Sequence, residues 1–249
     1  MKPLNILFFG SAPESDIVFN KLKSHHHIYK GEALTGPRPF IDLIVVASYG
    51  HKISKKTLDI PKYGSLNIHP SLLPKYRGAA PVPWTILNKE KQTGVTIFKM
   101  DSGWDTGPII ARQKHRLTQT ETTPQLLSTL FTIGVNLLIK TLPDYIEDNI
   151  TPIKQPKKSP TPYAKKLTKQ DGFIVWQEFI KQSKTNFTSI DHKIRAFYHW
   201  PGVWTKLPAC AGRPNNKVLK LLPNNKFQLE GKQPITWQQL LNGYQHLLK

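Results

Sequence analysis

The stretch Ile41–Pro70, IDLIVVASYGHKISKKTLDIPKYGSLNIHP, decides the fold. It holds two short apolar runs. IDLIVVASYG (Ile41–Gly50) ends in a glycine turn, and YGSLNIH (Tyr63–His69) ends at Pro70. Both read as strands, the first buried. Upstream, LNILFF (Leu4–Phe9) has no polar alternation after Asn5, the pattern of a strand covered on both faces, as in a parallel sheet. Gly10-Ser11 then turns the chain, and Ser15-Asp16 is placed to cap a helix through Leu22. This β-turn-α start lacks the GxGxxG pattern, so nothing in it argues for a dinucleotide.

Downstream, GVTIFKM (Gly94–Met100) and PIIARQKHRL (Pro108–Leu117) are two more strands, the second alternating as an edge strand does. TTPQLLSTLFTIGVNLLIKTLPDYI is the strongest helix, with Leu126, Leu127, Leu130, Ile133, Leu137 and Leu138 on one face. Lys23–Phe40 reads as irregular, and its three adjacent histidines, His25-His26-His27, are expected to do nothing specific. The expected fold class is α/β: a Rossmann-like open, mostly parallel sheet, followed by a small β-rich (OB-like) C-terminal domain.

The boundary between them is visible in composition. TPIKQPKKSPTPYAKKLTK (Thr151–Lys169) has four prolines and six lysines, which marks an extended cationic linker. After it, Trp176, Trp200, Trp204 and Trp237 punctuate short strand-like runs, GVWTKL, KVLKLL and KFQLEG. Turns are expected at Pro201-Gly202, Pro214-Asn215 and Asn224-Asn225. The expected domains are residues 1–150, a linker at 151–170, and residues 171–249.

Across 249 residues, 35 Lys+Arg against 16 Asp+Glu give a formal charge of +19, an excess that points to a polyanion. Nucleic acid ranks above an anionic membrane, because no long apolar segment or basic amphipathic helix suggests membrane binding. Cys210 is the single cysteine, which excludes an intrachain disulfide and a cysteine zinc site; it reads as a packing residue. The N-terminus does not have the form of a signal peptide or an Arg-rich presequence.

Chemistry concentrates at the end of the Tyr63–His69 strand. Asn67 and His69 alternate onto one face, and Pro70 stops the strand beside them. In an open α/β sheet that carboxyl end is where ligands bind. The loop PSLLPKYRG is stiffened by prolines and offers two leucines to an apolar ring. MDSGWDTGPII brings a second polar loop with Asp101 and Asp105. A metal loop is one use of two carboxylates, but the full EF-hand pattern is missing; one carboxylate held against the histidine is the simpler use.

SLNIHPSLLPKYRGAAPVPWTIL (Ser65–Leu87) and TGVTIFKMDSGWDTGPII (Thr93–Ile110) resemble the signature of the methionyl-tRNA formyltransferase family, part of a wider group that uses 10-formyltetrahydrofolate. PTPYAKKLTKQDGFIVW resembles that family's linker, and IRAFYHWPGVWTKL and LEGKQPITWQQLLNGY its C-terminal domain. The resemblance implies catalytic Asn67, His69 and Asp105, with Asp101 outside the catalytic position. It implies a folate stretch of Ser71, Leu72, Leu73 and Pro74, and no metal. The implied partner is methionyl initiator tRNA, met by Lys75, Arg77, Lys157, Lys158, Lys165, Lys166 and Lys169. A monomer, with no membrane contact, is implied, and PLNILFFGS resembles mitochondrial members, so a matrix location is expected, with the cytoplasm as the alternative. One departure is large. The family's longer segment before DLIVVASYG, with its basic glycine-rich loop, is reduced here to Lys23–Phe40, which retains Lys30, Gly36 and Arg38. Two other readings stay open: a formyltransferase for a small amine, and an RNA-binding relative without catalysis.

Overall fold

The computed structural model describes residues 2–11, 13–31, 40–208 and 217–244. Cys210, Gly36, Arg38 and the turn expected at Pro214-Asn215 lie outside the described residues. The chain divides into two compact units. The first comprises Met1–Val82, Lys91–Leu117 and Gln125–Lys165; the second comprises Pro83–Glu90, Thr118–Pro124 and Lys166–Lys249. The final passage from one to the other falls at Lys165–Lys166, inside the lysine-rich stretch.

The first unit is built on β1 (Asn5–Phe9), α1 (Ser15–Lys23), β2 (His27–Lys30), β3 (Leu43–Ala47), α2 (Lys55–Leu58), β4 (Ser65–His69), β5 (Gln92–Lys99), β6 (Ile109–Arg116) and all but the first two residues of α4 (Thr123–Ile146); α3 (Pro81–Leu87), between β4 and β5 in sequence, falls mostly to the second unit. The six strands run in the order β2-β1-β3-β4-β5-β6. The first four are parallel, β5 is antiparallel to β4, and β6 is antiparallel to β5. The expected open, mostly parallel sheet is present.

Alternation along the strands fills two layers, as the pleat requires. Ile6, Phe8, Leu43, Val45, Leu66 and Ile68 pack with Val18 and Leu22 of α1 and with Phe131, Val135, Leu138 and Leu142 of α4. Leu7, Phe9, Ile44 and Val46 pack on the other face with Ile53 and Leu58. Because Leu66 and Ile68 belong to the first layer, Asn67 and His69 face the second. At Gly134 of α4 an added Cβ would lie 2.5 Å from Ile68 Cγ2 and 3.0 Å from Val95 Cγ2. The glycine lets the helix close onto the strand that carries Asn67 and His69.

Four sequence expectations need correction in this unit. His27–Lys30, read as irregular, is strand β2, paired in parallel with Asn5–Phe8 at the sheet edge. It is four residues long and polar at both ends, too little to show a period. Within the histidine triplet, His26 is buried and its Nδ1 accepts from the Leu4 amide at 3.3 Å, so it has a structural use. Ser15 does not cap α1; Glu14 holds the N-cap position, and Ser15 is the first helical residue, buried against Gly10. Finally, α4 is long and apolar enough by composition to cross a bilayer, contrary to the expectation of no such segment. Its apolar stripe is part of the core described above.

The second unit contains β7 (Val203–Lys206), β8 (Val218–Leu222), β9 (Lys226–Leu229) and β10 (Ile235–Thr236), an antiparallel sheet in the order β10-β9-β8-β7. Asn224 and Asn225 turn β8 into β9 with φ of 61° and 52°, the left-handed region that asparagine tolerates. After residue 166 the unit adds the helices α5 (Trp176–Ser183), α6 (Asp191–Phe197) and α7 (Trp237–Tyr244). Sequence reading took their tryptophans as strand markers. Trp176 and Trp237 instead open helices, and Phe179, Phe187, Phe227 and Trp237 form a cluster with ring centroids 5.0–6.2 Å apart.

Candidate active site

Strand β4 delivers Asn67 and His69 to one face two residues apart. Asn67 is half-buried, and among the described residues its side-chain amide has no hydrogen-bond partner. His69 is buried edge-on against Phe98, with ring centroids 6.3 Å apart. Its Nε2 lies 3.1 Å from the main-chain oxygen of Tyr76, and its Nδ1 lies 3.9 Å from Asp105 Oδ2. A carbonyl oxygen can only accept, so Nε2 carries the proton toward Tyr76 and Nδ1 is left to face the carboxylate.

The loop after Pro70 is fixed from beneath by β5 and β6. Thr96, opposite His69 in the ladder, donates its hydroxyl to the Ser71 carbonyl at 2.7 Å and accepts from the Leu73 amide at 3.0 Å. Arg112 Nη1 donates to the Leu73 carbonyl at 3.1 Å. This pinning sorts the expected folate stretch. Ser71 is buried, its hydroxyl donating to the Lys75 carbonyl, and Leu73 is buried against Phe98 and Ile109. Of the two leucines expected to meet an apolar ring, only Leu72 keeps partly exposed surface, as does Pro74.

Asp105 sits in the loop between β5 and β6 with φ of 54°. Its Oδ2 accepts from the Gly78 amide at 2.8 Å, which aims the carboxylate at His69. Asp101, in contrast, closes its own loop by accepting from the Gly103 amide and the Thr106 hydroxyl, and it is exposed. Tyr163 lies across Gly78: a Cβ there would come 2.8 Å from the tyrosine Cζ. Partial burial, and then the negative charge of Asp105, push the Tyr163 phenol above its ordinary value.

Arg77 requires a correction. It was expected to face tRNA, but it is buried. Its Nε and Nη2 donate to Gln155 Oε1 at 3.2 and 2.9 Å, and its remaining bonds go to the carbonyls of Pro156 and Lys157. Buried, and with bonds from all three of its nitrogens made inside the fold, this guanidinium is not presented to a phosphate. Gln155 in turn donates from Nε2 to the carbonyls of Asp105 and Gly107 at 3.0 and 2.7 Å. The lysine-rich stretch is therefore laid down along the site loops. Thr161 Oγ1 accepts from the Tyr76 amide, Ser159 donates to the Pro74 carbonyl, and the Ala164 amide donates to the Arg77 carbonyl. Lys75, Lys157, Lys158, Lys165, Lys166 and Lys169 are exposed, and Lys169 Nζ stands 5.4 Å from the Trp204 ring centroid.

Gln155, Thr96 and Gly78 were not singled out from the sequence. Each acts through a main-chain bond to a residue distant in sequence, and no spacing rule reports that. Among the described residues no group of three His, Cys, Asp or Glu side chains could hold a metal ion. What the site offers is an unpartnered amide, an imidazole and a facing carboxylate beside a partly apolar loop. That set can stabilise a developing oxyanion and move a proton.

Residues 32–142 match the family described as formyl transferase. A methionyl-tRNA formyltransferase of Rickettsia canadensis (strain McKiel) is 43% identical over 181 residues, 73% of this chain and 54% of that protein. One of Dehalococcoides mccartyi (strain CBDB1) is 40% identical over 184 residues, 73% of this chain and 53% of that protein. This chain thus spans about half the length of these curated relatives. Among solved structures, a formyltransferase from Anoxybacillus kamchatkensis, in complex with UDP-4,6-dideoxy-4-formamido-L-AltNAc and tetrahydrofolate, is 26% identical with a TM-score of 0.53, covering 65% of this chain and 85% of that one. Methionyl-tRNA formyltransferase from Clostridium thermocellum shares the fold, at 17% identity and a TM-score of 0.63, over 94% of this chain and 99% of that one.

Proposed function

Since this chain belongs to the formyl transferase family, we propose that it transfers the formyl group of 10-formyltetrahydrofolate to the α-amine of methionyl initiator tRNA. The observation that carries the proposal is the approach of His69 Nδ1 to Asp105 Oδ2, 3.9 Å, on the strand face that also presents the unpartnered Asn67 amide. Leu72 and Pro74 supply apolar surface of the kind a pterin ring needs.

In this reading the neutral amine attacks the formyl carbon and a C–N bond forms. The formyl oxygen takes the negative charge. The Asn67 amide donates to it, a contact of a kind worth about 3–4 kcal/mol in the transition state. His69 Nδ1 takes the proton lost by the amine, and the Asp105 carboxylate faces the imidazolium that results. The proton then goes to N10 as the bond from N10 to the formyl carbon breaks, so that the products are the formylated amine and tetrahydrofolate. Lys75, Lys157, Lys158, Lys165, Lys166 and Lys169 serve as phosphate contacts for tRNA; Arg77 does not.

The test is an incubation of the purified chain with 10-formyltetrahydrofolate and either charged initiator tRNA or a small amine such as an aminosugar nucleotide. Formylation of the tRNA supports the proposal. Formylation of the small amine alone favours the small-amine reading, and tRNA binding without transfer favours the non-catalytic relative. A monomer in a mitochondrial setting completes the proposal, tested by gel filtration and by localising a tagged chain.

A further inference from the structure

We propose that the buried pair Arg77 and Gln155 are positioning residues for the reaction: together they set the two groups that face the His69 imidazole, the Tyr76 carbonyl and the Asp105 carboxylate. The inference rests on the formyl-transfer reading and deepens it by naming what aims the proposed base.

Arg77 is the middle residue of a run whose main chain reaches the imidazole from both sides. The carbonyl before it, of Tyr76, lies 3.1 Å from His69 Nε2. The amide after it, of Gly78, donates to Asp105 Oδ2 at 2.8 Å. That same oxygen is the one 3.9 Å from His69 Nδ1. Tyr76 and Gly78 have φ of 58° and 124°. A tyrosine holds the left-handed region only where its surroundings fix it. The Arg77 side chain supplies such a fixture, since Gln155, which receives two of its bonds, donates in turn to the main-chain oxygens of Asp105 and Gly107. Asp105 is thus held twice, at its carboxylate by the residue after Arg77 and at its carbonyl by the side chain that Arg77 binds.

The chemistry of the pair argues for positioning over filling. Arg77 and Gln155 are 6% and 7% exposed. The oxygens that receive the guanidinium, Gln155 Oε1 and the carbonyls of Pro156 and Lys157, are all neutral. A buried cation set against neutral oxygens is a costly way to fill space, and apolar side chains do it better. What a guanidinium provides is a rigid planar fork, which fixes its acceptors relative to one another. Those acceptors belong to three consecutive residues, and Lys157 among them is a proposed phosphate contact. The placing of the cationic stretch and the aiming of the carboxylate are one arrangement.

Two variants separate positioning from stability. Arg77→Lys keeps the charge, but one compact ammonium does not fix three acceptors in a plane. Gln155→Glu keeps an acceptor for Arg77 and gives it a charged partner, but has no donor for the carbonyls of Asp105 and Gly107. Steady-state formylation gives kcat and KM for the full chain. Tetrahydrofolate titration is the control, because Ser71 and Leu73 are held separately by Thr96 and Arg112. Nuclear magnetic resonance follows exchange of the Gly78 amide against that of Ile44, which is bonded to Gly64 beside the central strands. In both variants kcat should fall by about tenfold to a hundredfold, the scale of a small misplacement at a reacting group. KM for the folate and tetrahydrofolate affinity should stay close to the parent's. Gly78 should exchange faster while Ile44 stays slow. A parental kcat in Arg77→Lys, or unchanged Gly78 exchange in either variant, would overturn the inference. So would a kcat loss in Gln155→Glu alone, which would trace to the added charge, and so would equal acceleration at Ile44, which would make the pair structural only. The exchange measurement needs no turnover, so absence of formyl transfer in the parent would count against the formyl-transfer reading and leave the hold on Asp105 to be decided by Gly78.

Discussion

Gln155 Nε2 donates to the main-chain oxygen of Asp105 at 3.0 Å across a sequence separation of 50 residues. The carboxylate that faces His69 is thus held by a side chain from the lysine-rich stretch. The same amide accepts from the buried Arg77 through its other end. We expect Gln155→Leu to leave the guanidinium without its side-chain acceptor and the Asp105 loop without its anchor. A hydrogen bond to a charged group contributes about 1.5–3 kcal/mol, so urea denaturation should show a loss of about that size. A loss well under about 1 kcal/mol would mean that the bonds made by Gln155 are replaced by water.

The proposed roles of the three polar side chains at the β4 end separate by substitution. His69 is buried against Phe98, so alanine would also leave a cavity. His69→Gln keeps volume and a polar group, and should lower formyl transfer by about a hundredfold or more, the usual scale for a general acid or base. Asp105→Asn retains an oxygen for the Gly78 amide but removes the charge opposite His69, and should lower the rate by at least about tenfold. Asp101→Asn should do much less, because Asp101 binds only within its own loop. Rates of formylation of charged tRNA check all three. The reverse order for the two aspartates would assign the chemistry to the wrong carboxylate.

What was legible in the sequence is what repeats or alternates. Leu4–Phe9 and Ile41–Gly50 showed themselves as strands because every side chain meets one of two apolar layers. The long helix showed itself through its leucine stripe. Asn67 and His69 share a face because they are two apart on a strand, and this too was readable. Strand β2 was not, since it borrows its stability from one neighbour, β1, and carries almost no pattern of its own. Helices α5 and α7 are eight residues each, and their tryptophans drew attention away from a short helical period. Arg77 was misread because a basic residue in a polar loop normally faces water. Only the fold reveals that Gln155 and the carbonyls of Pro156 and Lys157 satisfy it.

His26 gives the fold a pH dependence of known sign. Burial first, and then the charges of His25 and His27, hold its imidazole below the ordinary 6.5. Its Nδ1 accepts from the Leu4 amide, a bond that protonation at that nitrogen would break. As pH falls through 6.5 the unfolded chain takes up a proton that the folded chain resists, so stability decreases. The decline levels off once the folded ring is protonated too. His26→Asn can still accept from Leu4 and does not titrate. Urea midpoints at about pH 7.5 and about pH 5.5 should therefore differ less in this variant than in the parent. His192, also held low by burial, contributes with the same sign in both proteins. Equal pH slopes would remove His26 as the cause.

The exposed lysines of the stretch beside the site carry the proposed tRNA contact. Lys157, Lys158, Lys165 and Lys166 have their side chains in solvent while the backbone around them is pinned by Ser159, Thr161 and Ala164. A pinned backbone presents its cations at fixed places, and each phosphate they neutralise releases counterions. By analogy with duplex DNA, the slope of log affinity against log salt should become shallower by about 0.9 for each phosphate left without its cation. Replacing all four lysines with Gln should weaken tRNA binding and flatten that slope. Arg77 is left out of the set because its donors are used inside the fold. Tetrahydrofolate binding serves as the internal control, since Asn67, Leu72 and Pro74 are untouched. Binding is measured for parent and variant across a salt series. Parallel lines would show that these lysines only keep the stretch solvated, and no binding by the parent at low salt would remove tRNA as the partner.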